Sequence, residues 1–166
     1  MDQRAAGFLR SLGRGATALL VACVLCASSC LPSEPYSGIG FRSDAGRATV
    51  LVLGCKQNPP MAVALGDEDG KKYWEVRATQ LDTTTAIFVF DLTGSPPAGW
   101  VLTVDERASL KANSRYWVAV EGPRANRGSH GATLDKLPDK DDGVEIESSN
   151  VISEREFAAL DFVCPS

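Results

Sequence analysis

"LKANSRYWVAV", residues 110–120, is the stretch from which the fold is read. After a polar turn it alternates, with Tyr116, Val118 and Val120 on one side and Arg115, Trp117 and Ala119 on the other. Successive strand residues point to opposite faces, and period-two patterning marks a strand half-buried in a sheet. Leu110, six residues ahead of Tyr116, supplies the one large apolar side chain of the turn.

Six further runs have the same character: "TVLVLGC" (49–55), "MAVALG" (61–66), "KYWEVRA" (72–78), "TAIFVFDL" (85–92), "WVLTVD" (100–105) and "GVEIES" (143–148). β-Branched and aromatic residues dominate them, which suits a pleated, half-buried surface. Turn chemistry separates them, as in "GDEDGKK" after the second run and "SPPAG" at 95–99. This spacing predicts an all-β sandwich of about seven strands. Ser153 and Glu156 in "SEREFAAL" have the separation of a capping box, so a short C-terminal helical turn is expected. A last short run, "DFVC" (161–164), follows it.

The Leu110–Tyr116 spacing resembles the E–F corner of fibronectin type III and related immunoglobulin-like sandwiches. There the tyrosine ring packs inward while its hydroxyl bonds backbone a few residues upstream and fixes the crossover between sheets. The resemblance covers residues 47–122 and implies an immunoglobulin-like or fibronectin III-like β-sandwich, with Trp74 in the core position of a strand-C tryptophan. The first run lacks the usual fibronectin tryptophan, and the 121–142 loop is long for that family.

The N-terminus gives an address. Arg4, Arg10 and Arg14 precede an uncharged stretch, "ATALLVACVLCASSC", whose apolar core of about a dozen residues is the length of a secretory signal. A spanning helix needs roughly 20. "ASSC" (27–30) resembles a bacterial lipobox, with Cys30 as the lipidated residue; "LVAC" (20–23) makes Cys23 the alternative. Choosing Cys30 removes Cys23 and Cys26 with the signal. Cys55 and Cys164 then remain as an even pair suited to an oxidising compartment. Bridging them closes a loop that the chain-entropy model values at ~4–5 kcal/mol. Signal, lipobox-like cysteine, "PPxGW" and tyrosine corner together resemble small uncharacterised lipoproteins of high-GC Gram-positive bacteria. The expected organisation is a signal at 1–30, a Pro/Gly/Ser-rich tether at 31–46 and a β-sandwich domain at 47–166. The expected location is the outer face of the cytoplasmic membrane, held through an N-terminal lipid; free secretion is the alternative.

Residues 1–30 hold three of the 17 basic residues and one of the 21 acidic ones, which leaves the remainder at net −6. Nucleic acid is excluded as the expected partner, since such binding draws on Lys and Arg against phosphates. Chemistry is sparse. His130, the only histidine, stands in "RANRGSHGATLD" without the nucleophile context of a hydrolase. "GDEDG" (66–70) and "PDKDDG" (138–143) miss the calcium-loop spacing, and no metal or cofactor is expected. A binding face is easier to draw. If Trp74, Val76 and Tyr116 face inward, then Tyr73 and Arg77 share the outward side with Arg115 and Trp117. Strands C and F adjoin in an immunoglobulin-like sheet, which brings these four together, and aromatic and arginine residues are common interface anchors. The bland alternative has the 121–142 loop or the C-terminal helix covering the rings. The expectation is a non-enzymatic binding module whose partner is an envelope protein or polysaccharide. The alternative is a small envelope hydrolase using His130 and carboxylates.

Overall fold

A computed structural model describes residues 38–129, 131–146 and 149–160, all within the compact unit Pro35–Ser166. In chain order the strands are Ile39–Asp44 (β1), Arg47–Leu53 (β2), Ala62–Gly66 (β3), Lys72–Ala78 (β4), Ile87–Asp91 (β5), Trp100–Asp105 (β6), Arg115–Glu121 (β7), Arg127–Gly128 (β8), Ala132–Thr133 (β9), Val144–Ile146 (β10) and Asn150–Ile152 (β11). They form two antiparallel sheets. Sheet A runs β11-β10-β1-β2-β5; sheet B runs β6-β4-β3-β7-β8, with β9 also on β7. The fold is an all-β sandwich. β1-β2-β5 and β4-β3-β7-β8 follow the A-B-E and C′-C-F-G order of an immunoglobulin-like domain. β6 departs from that order, because it pairs with β4 yet follows β5 in the chain.

The seven runs expected from the sequence correspond to β2–β7 and β10. Of the tether expected at 31–46, residues 31–37 lie outside the described residues and the rest is corrected: Ile39–Asp44 is a strand, and β1 lies inside sheet A between β10 and β2. Ile39 and Phe41 enter the main core, alongside Val50, Val52, Trp74 and Phe90. Gly40 faces the other way, and its glycine character is packing. A Cβ there would stand 2.4 Å from a Val144 methyl and 3.0 Å from the Phe157 ring.

That second face explains β2. Val50 and Val52 point into the sandwich, whereas Leu51 and Leu53 join Val144, Ile146 and Phe157 in a smaller core outside sheet A. A strand buried on both faces reads as a continuous apolar run, as "VLVL" does. The cover is the helix Glu154–Ala158 (α1). Ser153 caps it as expected: the Glu156 amide donates to Ser153 Oγ at 3.2 Å and the Ser153 amide to Glu156 Oε2 at 2.8 Å. Five residues do not hold a helix alone. The buried ring of Phe157 and the bond from Arg42 Nη1 to Glu154 Oε2 (2.6 Å) fix α1 to the sheet. Among the described residues no helix is long and apolar enough to cross a membrane.

The missed β1 moves the strand lettering by one. Trp74 lies on β4, the C′ position, rather than on strand C; it is 1% exposed and meets Phe90 edge-on at 6.2 Å. The link from β6 to β7 joins two strands of sheet B, so Tyr116 holds an arch across one sheet and not a crossover between sheets. Its hydroxyl accepts from the Lys111 amide at 2.6 Å and donates to the Lys111 carbonyl at 3.2 Å. Leu110 packs against the main core beside it.

Candidate binding face

The four residues expected to share a face do not all do so. β3 separates β4 from β7, so Tyr73 and Trp117 are not on neighbouring strands. The register also slips between Leu65 and Gly66: Leu65 pairs with Trp74 but Gly66 with Lys72, leaving Tyr73 as the bulged residue. A bulge re-aims its side chain. The Tyr73 ring turns to the core, edge-on to Tyr116 at 5.6 Å.

Both aromatics instead serve Asp67, in the turn between β3 and β4. The Tyr73 hydroxyl donates to Asp67 Oδ2 at 2.8 Å, and the Trp117 indole N–H donates to the Asp67 carbonyl. Asp67 Oδ1 also accepts from the amides of Asp69 and Lys71 at 3.1 and 3.0 Å. The Tyr73 hydroxyl, chiefly, holds the Asp67 carboxyl below its ordinary range, while Asp67 pushes the phenol up. The polar atoms of both rings are thus engaged by the 67–71 turn. Arg115 is displaced too. It stands six residues before Glu121, about 20 Å along β7, and donates to the Gly131 carbonyl at 2.7 Å.

What remains on the outer face of sheet B is a framed trough. Three cross-strand rows build it: Arg77–Ala62–Glu121, Glu75–Ala64–Ala119 and Lys72–Gly66–Trp117. The central strand contributes only Ala, Ala and Gly outward because its large residues, Val63 and Leu65, point into the core. Gly66 is required under the indole, since a Cβ would come 2.6 Å from Trp117 Cζ2. A cavity of about 200 Å³ opens here, lined by Ala62, Ala64, Lys72, Glu75, Glu121 and Asn126.

Glu75 is the unusual member, 4% exposed although it points away from the core. Its carboxylate accepts from Arg77 Nε at 2.8 Å and Thr103 Oγ1 at 2.9 Å, and pairs with Lys72 Nζ. Arg77 continues to Glu121 at 3.0 Å. Burial alone raises the Glu75 pKa, but the hydrogen bonds from Lys72, Thr103 and Arg77 outweigh it and hold the group below its ordinary value. Glu75 alternates with the inward Trp74 and Val76, which puts it outward in the sequence but does not mark it. The available signal was "KYWEVR", whose cations flank the acid at −3 and +2.

The segment beyond β7 is ordered by Asn58, which is 1% exposed. Its Nδ2 donates to the Ala125 carbonyl at 2.8 Å, and its Oδ1 accepts from the Arg124 amide at 2.9 Å. The expected 121–142 loop is thus broken into β8, β9 and a 3-10 turn at Leu134–Lys136. At the other end of the sandwich a shallow cavity of about 550 Å³ lies over Ala48, Leu92, Leu110, Tyr116 and Leu134.

Cys23, Cys30, Cys164 and His130 lie outside the described residues; Cys55 is buried at the end of β2. Among the described residues no group of three or more His, Cys, Asp or Glu could hold a metal ion. No protein-family model, curated protein or solved structure matches the chain.

Proposed function

We propose that this chain is an exported, lipid-anchored, non-enzymatic binding module of the cell envelope, and that it meets its partner on the outer face of sheet B. The signal-like N-terminus with Cys30 supports the address, and the Cys55–Cys164 bridge belongs to the same proposal. The observation that carries the binding role is Glu75. Burying a carboxylate costs several kcal/mol before its partners offset it, so such a pair is weak support for stability. Here it fixes two cations and a hydroxyl in place around a small cavity beside a half-buried indole. A rigid polar frame with an aromatic edge suits an envelope polysaccharide or a protein segment, because little side-chain freedom is lost on binding.

The test is amide-shift mapping with solubilised wall polysaccharide and with envelope proteins, on the wild type and on Ala119→Arg, which fills the trough from a half-buried position. Shifts confined to β3, β4 and β7, with at least tenfold weaker binding in Ala119→Arg, support the reading. Shifts centred elsewhere sink the assigned face. Conversion of the polysaccharide by the wild type but not by His130→Ala points to the hydrolase instead.

A further inference from the structure

The two sheets end in four edges among the described strands, and three of them are blunted. β6 carries a register shift opposite Glu75 and Val76; β8 has two residues and β11 three. Bulges and short lengths are the usual protection against strand addition. β5, "IFVFD", has neither: it is five residues long and pairs with β2 in unbroken register, without proline or lysine.

Its backbone polarity follows from the bonds at either end of the ladder. The Gly54 amide donates to the Ala86 carbonyl at 2.7 Å, and the Leu92 amide to the Ala48 carbonyl at 2.9 Å. Bonded positions alternate along an antiparallel strand, so Phe88 and Phe90 bond β2. Ile87, Val89 and Asp91 turn their N–H and C=O groups to the open edge. Val89 also leaves its side chain 43% exposed on the outer face of sheet A.

We propose that β5 pairs with β5 of a second copy of this chain in a two-fold antiparallel dimer centred on Val89. The register accommodates a second copy. With Val89 opposite Val89, Ile87 falls opposite Asp91, and all three residues on each chain exchange N–H···O=C bonds at once. A self-paired two-fold interface needs such self-complementarity, and here it leaves no edge donor or acceptor unused. The side chains agree. Val89 meets Val89, and Asp91 brings no unpaired charge, because Arg47 Nη1 lies 2.8 Å from its carboxylate. The two copies of sheet A become one ten-stranded sheet.

Residues directly opposite in a bonded antiparallel pair have Cα atoms about 5.5 Å apart, within disulfide reach. The experiment therefore uses the full chain in its host, comparing Val89→Cys with the wild type, whose five cysteines give the background, and with Val101→Cys on the β6 edge. Non-reducing gels are expected to show a new dimer band for Val89→Cys alone. Sedimentation equilibrium of the purified full chain in detergent is expected to give twice the monomer mass. Val89→Lys sets two ammonium groups face to face on an exposed site that the monomer does not need, and is expected to weaken the dimer at least tenfold. A monomer at every concentration, or equal cross-linking at Val101, overturns the proposal. So does a mixed complex with another polypeptide that Val89→Lys abolishes, which assigns the edge to a foreign strand.

Discussion

Asn58 joins two loops that the chain keeps 67 residues apart, and it does so with three hydrogen bonds from one buried amide. Replacing it by alanine strands two backbone amides and a carbonyl under the 122–126 segment. Each unsatisfied buried group costs about 1–3 kcal/mol, so Asn58→Ala is expected to destabilise by about 2–4 kcal/mol in urea unfolding. The Arg124 and Ala125 amides are expected to exchange faster in the same variant. Unchanged exchange there means that the segment holds itself. No local pattern in "CKQNPP" announces this role, because the partners are far away in sequence. Tyr73 was misread for a different reason: strict alternation assigns it outward, and one bulge reverses the assignment. Glu75 was placed on the correct side, yet its burial depends on Lys72, Arg77 and Thr103 converging from two strands.

Elements were legible where their residues alternate and hidden where packing overrides pattern. β4, β6 and β7 announce themselves by period two. β1 does not, because Gly38 and Gly40 give it the composition of a linker, while Gly40 is there to admit Phe157. The helix was visible from its cap, but its stability comes from elsewhere. Phe157 is fully buried in the smaller core, so Phe157→Ala is expected to cost about 3–5 kcal/mol. Ser153→Ala removes only the cap, at about 1 kcal/mol. Circular dichroism with urea titration separates the two. Equal losses would mean that the cap, not the ring, holds α1 to the sheet.

Across the whole molecule, carboxylates are held in their charged form by specific donors. The Thr85 hydroxyl does this for Asp82, Tyr73 for Asp67, Arg107 for Asp105 and Ser153 for Glu156, and each pKa lies below the ordinary 3.8 of aspartate or 4.5 of glutamate. A carboxyl whose folded pKa is depressed binds fewer protons folded than unfolded, so its contribution is complete above the unfolded value and lost as pH falls through the folded one. The urea midpoint is expected to stay level from pH 7 to 5 and to decline once pH passes below about 4.5, continuing below 3.8. A level midpoint down to pH 3 would show that these bonds do not discriminate the two states. The sandwich class was readable from spacing alone; the strand order was not, since nothing local says that β6 follows β5 and returns to β4.

The position of β1 also has a mechanical meaning. The described residues begin at Gly38 and pass at once into a strand bonded on both sides, by β2 over six residue pairs and by β10. Tension applied at Gly38 therefore loads the middle of sheet A, where rungs resist together, and does not peel an edge strand one rung at a time.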